Sequence, residues 1–222
     1  MKITLPTSGE TLSIGKLLCI GRNYADHAAE MERDVPDEPM VFLKPATAVI
    51  RSGGTVRLPA QSQNVHHEVE LVAVIGTEGR HLSAEEALDH VAAYAVGLDM
   101  TARDVQDEAK AQRHPWSVAK GFDTFAPLGP LVAPDAVGDP QALTLRLRRN
   151  GTTRQEASTQ DMIFSVAELV AHCSQIFTLT PGDLLYTGTP SGVGPVEDGD
   201  TLEATATGIE PLTVTVSRSP RS

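Results

Sequence analysis

Aromatic residues are scarce in this 222-residue chain, at 4% with a single tryptophan, and there are only two cysteines. Cys19 and Cys173 stand apart inside apolar segments with no CxxC partner, which argues against a disulfide framework or a thiolate zinc site and predicts two buried thiols. Bases are in deficit as well: 18 Lys and Arg stand against 29 Asp and Glu, a net charge of −11. With no basic stripe and no basic-aromatic alternation, the chain lacks what nucleic acid phosphates require. No apolar run approaches the roughly 18 residues of a membrane span, and residues 1–6 contain no signal-peptide core. The expectation is a protein with neither nucleic acid nor membrane as partner, resident in the cytoplasm. A small anionic substrate is compatible with the acidity, because a metal and a few local bases reverse the potential inside a cleft.

What is there begins with 41% hydrophobic residues, enough at this length to bury a core in one large domain. Residues 1–15 read as an N-terminal arm and 16–222 as a single domain. Apolar runs predict strands at 16–20, 41–43, 55–58, 71–75 and 92–98. The capping-box spacings Ser83/Glu86 and Ser165/Glu168 predict helix starts, the second backed by an apolar face of Leu169, Val170, Cys173, Ile176 and Phe177. A short helix is expected over 23–31 and a proline-broken loop over 32–40. Thr101 is expected to cap a helix beginning near Ala102, and 133–140 to form a surface loop. Short strands at short spacing in the last third predict a mainly β sandwich or roll with few helices.

The strongest chemical signal is His66-His67-Glu68-Val69-Glu70 at the head of the 71–75 run. Residues two apart on a strand share a face, so Glu68 and Glu70 aim their carboxylates together and call for a counter-charge. Asp99 ends the next apolar run and completes an all-oxygen set suited to Mg²⁺ or Mn²⁺. His66 would share that face, leaving zinc as an alternative, and an isolated Glu-x-Glu is also compatible with a plain polar strand face. His27 and Glu30, three apart on a helix, suit a general base and its orienting carboxylate, or an ordinary surface ion pair. Lys120, in a mixed apolar and glycine context, suits stabilisation of an enolate or oxyanion, or a snorkelling surface role. The run Gly188-Thr189-Pro190-Ser191-Gly192-Val193-Gly194 could offer backbone N–H groups to a carboxylate; it fits neither a phosphate loop nor a dinucleotide fingerprint.

Taken in order, six blocks resemble the fumarylacetoacetate hydrolase family, in particular its short single-domain acylpyruvate (fumarylpyruvate) hydrolases. They are Gly21-Arg22-Asn23-Tyr24-Ala25-Asp26-His27, Phe42-Leu43-Lys44-Pro45, His66-His67-Glu68-Val69-Glu70-Leu71, Leu98-Asp99-Met100-Thr101-Ala102-Arg103-Asp104-Val105-Gln106, Ala119-Lys120, and Gly188-Thr189-Pro190-Ser191-Gly192-Val193-Gly194-Pro195. The resemblance implies a mixed β-sandwich roll, Mg²⁺ or Mn²⁺ held by Glu68, Glu70 and Asp99, and a catalytic set of His27, Glu30 and Lys120 with the dyad on a lid. It offers Arg22, Lys44, Gln106 and Thr189 as substrate contacts. The implied activity is hydrolysis of a carbon-carbon bond in a 3-acylpyruvate to pyruvate and a carboxylic acid. Decarboxylation of oxaloacetate, or keto-enol tautomerisation or isomerisation of a related 2-oxo dioate, stands as the alternative, and a metal-binding protein without catalysis as a remote one. The implied partners are a small 2-oxo acid substrate and a second copy of the chain, as a homodimer.

Overall fold

The Val69–Ile75 strand is apolar on both faces, and every one of its residues is buried, so it must lie between two layers. Its odd positions, Val69, Leu71, Ala73 and Ile75, enter one core; Val72 and Val74 enter a second. The antiparallel neighbour Val91–Leu98 divides in the same way, with Tyr94, Val96 and Leu98 in the first core and Ala93 and Ala95 in the second. The structure is a computed structural model that describes residues 1–25 and 37–218.

These two strands are central in a seven-stranded mixed sheet, ordered Met40–Lys44, Leu17–Gly21, Leu184–Tyr186, Val69–Ile75, Val91–Leu98, Ala126–Leu128, Val49–Arg51. A five-stranded sheet, Thr152–Ser158, Thr144–Arg149, Thr201–Ala206, Ile209–Arg218 and Thr55–Leu58, covers its first face. Those outer strands alternate: Leu145, Leu147, Leu202, Ala204, Leu212 and Val214 point inward while their neighbours meet solvent. The fold is mainly β with a few helices, as expected.

The N-terminal arm is a built part of the second core. Lys2–Thr4 and Thr11–Ser13 pair as a hairpin, and Ile3, Leu5 and Ile14 bury against Leu17 and Cys19. Both cysteines are buried thiols.

Helix Val166–Ile176 carries the predicted capping box, with Ser165 and Glu168 satisfying each other's backbone N–H groups. Its buried residues include Leu169, Val170 and Cys173, while Phe177 lies just past its end as the C-cap. The second box, Ser83/Glu86, opens only the single turn Ala84–Ala87 before a 3₁₀ turn over Leu88–His90.

Two local expectations are corrected. Thr101 does not cap the helix Arg103–Ala111: it pairs with His66 in a short strand, its hydroxyl donates to the Asp99 carbonyl at 3.2 Å, and the N-cap is Ala102. Residues 133–140 are not all loop, because Pro134, whose fixed φ suits a first helical turn, starts the one-turn helix Pro134–Val137. The predicted 23–31 helix and 32–40 loop fall mostly outside the described residues. Among the described residues no helix is long and apolar enough to cross a membrane.

Candidate active site

The hairpin register assembles the acid cluster. Glu70 lies opposite Gly97, and the Asp99 N–H donates to the Glu68 carbonyl at 2.8 Å, so Asp99 arrives beside the Glu-x-Glu pair. One carboxylate oxygen from each of Glu68, Glu70 and Asp99 lies within 4.8 Å of the other two, and all three residues are buried. By parity they continue the face of the sheet that carries Val72, Val74, Ala93 and Ala95. At position 97 only glycine leaves room, since a Cβ there would stand 2.6 Å from both Tyr186 Cε1 and Val72 Cγ2.

Three buried cations, Lys44, Lys120 and Arg103, pair with two of the three carboxylates, Glu68 and Asp99. Lys120, at the end of the one-turn helix Ser117–Lys120, donates to Glu68 Oε2 at 2.9 Å and Asp99 Oδ2 at 2.6 Å. Burial disfavours its charge, but the Asp99 and Glu68 carboxylates prevail and hold its amine above the ordinary lysine value. Arg103 pairs with Glu68 Oε1 and also donates to Gln106 Oε1 at 2.7 Å. Glu70 accepts the Gly188 N–H at 2.8 Å, so the glycine-rich run does offer backbone to a carboxylate, one belonging to the site itself. Gly188 sits at φ +97°, and a Cβ there would meet Asn23 Cβ at 2.7 Å. Burial, then Asp99 and Glu68, push the Glu70 carboxyl well above its usual range.

Lys44 is placed differently from the expectation. Its ammonium pairs with Asp99 Oδ1 and donates to the carbonyls of Met100 at 3.1 Å and Phe125 at 2.6 Å. With its three N–H groups engaged and the side chain fully buried, it backs Asp99 from behind rather than lining the pocket. Arg22, Gln106 and Thr189 do line it, with Phe42, Lys110 and Trp116. Arg22 adopts the left-handed region at φ 58°. Thr189 Oγ1 accepts from Gln155 Nε2 at 2.8 Å, which leaves its own proton to donate into the pocket. Gln155 Oε1 meanwhile takes the Val69 N–H at 3.1 Å and bonds His67 Nδ1 at 3.0 Å, tying the outer sheet to the site's floor.

His66 stays out of the cluster: its Nε2 bonds Asn64 Oδ1 at 2.9 Å, and burial, followed by Arg103, lowers its pKa to about 4. The donor set is therefore carboxylate oxygen, which suits a hard divalent cation better than zinc. His27 and Glu30 lie outside the described residues. Arg103 was not singled out as a site group by sequence reading, although it falls inside a quoted motif. Gln155 lies in none of them, and only the sheet packing reveals it.

Residues 16–217 match the family model described as fumarylacetoacetate (FAA) hydrolase C-terminal. The mitochondrial oxaloacetate tautomerase FAHD1 of Arabidopsis thaliana is 47% identical over 203 residues, 91% of each chain. A fumarylpyruvate hydrolase from Pseudomonas aeruginosa, crystallised with Mn²⁺ and pyruvate, superposes with a TM-score of 0.93 at 42% identity, covering 99% of this chain and 96% of its own. A 5-carboxymethyl-2-hydroxymuconate delta-isomerase from Mycobacterium smegmatis gives 0.85 at 42% identity, covering 94% and 80%.

Proposed function

The chain belongs to the fumarylacetoacetate hydrolase family and is an enzyme, and on that premise we propose that it is a metal-dependent hydrolase of 3-acylpyruvates, releasing pyruvate and a carboxylic acid. The observation that carries this reading is the buried cluster of Glu68, Glu70 and Asp99 on a pocket floor beside the Lys120 ammonium. Glu68, Glu70 and Asp99 would hold Mg²⁺ or Mn²⁺. When bound, the ion would supply Lewis acidity toward a 2-oxo acid and its enolate.

The protein's own groups divide the rest of the work. His27, oriented by Glu30, would take a proton from water so that hydroxide attacks the distal carbonyl. Lys120 carries the positive charge next to which negative charge develops as pyruvate enolate leaves. Thr189 and Gln106 offer a hydroxyl proton and amide N–H groups to substrate oxygens, and Arg22 a guanidinium on the pocket wall. The working unit on this reading is a homodimer, which light scattering in solution checks.

A second reading, tautomerisation or decarboxylation of oxaloacetate, is favoured by the 47% identity to the Arabidopsis tautomerase. It needs no attacking water. The test is a panel of fumarylpyruvate, acetylpyruvate and oxaloacetate compared by kcat/KM with Mg²⁺ and Mn²⁺. The acylpyruvates are expected to lead; a ranking led by oxaloacetate overturns the hydrolase assignment. Glu30→Gln sharpens the choice: it should lower acylpyruvate hydrolysis at least a hundredfold and oxaloacetate decarboxylation far less.

A further inference from the structure

Helix Arg103–Ala111 turns Arg103, Gln106 and Lys110 toward the pocket. Their spacing of three and four sets them on one face, with Lys110 about 10 Å along the axis from Arg103. The near end of that row belongs to the acid cluster, because Arg103 pairs with Glu68 and Gln106 accepts from Arg103. Lys110 stands two turns away, and no carboxylate of the cluster pairs with it among the described residues.

Its surroundings suit an incoming anion. The ammonium lies 5.5 Å from the Trp116 ring centroid, and its acidic neighbour is Asp107 at 3.4 Å on the same helix. The Lys110 side chain is 23% exposed and that of Asp107 63%, so the pair is loose and its acid half faces solvent. Burial lowers the pKa of the amine; Asp107 opposes this, and Arg103 and Arg22 add to the lowering. Among the described residues the ammonium is thus short of negative charge, on a wall that a ligand can reach.

Resting on the 2-oxo acid reading above, the geometry points to Lys110 as the residue that receives the far carboxylate of a long 2-oxo dioate, about seven carbons in length. Side chains on a helix lean toward its N-terminus, and the contact with Asp107 one turn back shows that Lys110 does so. A seven-carbon dioate spans about 8 Å between its carboxyl carbons when extended, and a four-carbon one about 4 Å. On this placement a longer acid anchored at the cluster would carry its far carboxylate toward Lys110, and a four-carbon one would stop short.

The test is binding to the Mn²⁺-loaded protein by calorimetry, with 2-oxoheptanedioate and 2-oxoheptanoate, which differ only in the far carboxylate. The wild type should bind the dioate at least about tenfold more tightly. Lys110→Met should bring that ratio near one while changing the monoacid's affinity less than twofold, and Lys110→Arg should keep most of the preference. A ratio near one in the wild type, a preference that survives Lys110→Met, or failure of both acids to bind overturns the assignment. Acylpyruvate turnover is scored separately. A dioate preference without turnover removes the hydrolase reading alone, and turnover without a preference removes the role of Lys110 alone.

Discussion

Lys44 and Lys120 look alike in the sequence, each a lysine in a mostly apolar stretch, yet they answer Asp99 from opposite sides. Lys44 has its ammonium fully engaged by Asp99, Met100 and Phe125 and lies behind the pocket wall. Replacing it with Met takes one of two ammonium partners from the buried Asp99, which keeps Lys120, and leaves the Met100 carbonyl without that donor, a loss of about 3 kcal/mol. For a chain of this size that is a fall in Tm on the order of 10 °C, read by calorimetry. A shift under about 2 °C would return Lys44 to the substrate contacts. Lys120→Met should instead lower kcat by at least about a hundredfold, the scale of losing one donor to a developing oxyanion, measured on acylpyruvate under saturating metal. The carboxylates were legible at this scale because strand parity alone aligns Glu68 with Glu70. The positions of Lys44 and the Gly188 N–H were not, because they depend on how distant strands meet.

Elements divide along the same line. Val69–Ile75 and Val91–Leu98 are legible from composition alone, because strands buried on both faces read as unbroken apolar runs. The Ser165/Glu168 box was legible because it is satisfied within four residues, whereas Thr101 failed as a cap because pairing with His66 claims it. Gln155 was invisible for a similar reason: it stands on the outer strand and reaches Val69, His67 and Thr189 only when the two sheets pack. The box carries its own test. Ser165→Ala should cost about 1 kcal/mol at neutral pH. Hydrogen bonds from the Ser165 side chain and backbone hold the Glu168 carboxyl below its ordinary 4.5, so between that lowered value and 4.5 the unfolded chain binds more protons than the folded one. The stabilisation is therefore complete above pH 4.5 and lost as pH falls through the folded-state value. Denaturant melts at pH 7 and pH 3.5 should show the variant's deficit shrinking at the lower pH, and a deficit independent of pH would refute the reciprocal cap.

On the scale of the molecule, the net charge of −11 coexists with a buried cluster whose acids are already partnered: Glu68 pairs with Arg103 and Lys120, Asp99 with Lys44 and Lys120, and Glu70 accepts a backbone N–H. Global acidity therefore says little about what the cleft attracts. A divalent ion entering the cluster meets carboxylates already paired with Lys120 and Arg103, and its net gain comes from adding two charges to a buried oxygen set that the unfolded chain cannot assemble. Binding to the folded state alone stabilises it by mass action, by about 2.7 kcal/mol at a hundred times Kd. At this chain length that is a rise in Tm of roughly 5–10 °C. Titrating Mn²⁺ during thermal melts should produce this rise and EDTA should reverse it. Glu70→Gln, which removes one anionic oxygen donor while keeping the side chain's shape, should abolish most of it. Survival of the full rise in Glu70→Gln would place the ion elsewhere, and no rise at any Mn²⁺ concentration would remove the metal from the cluster and with it the electrophile the hydrolysis needs.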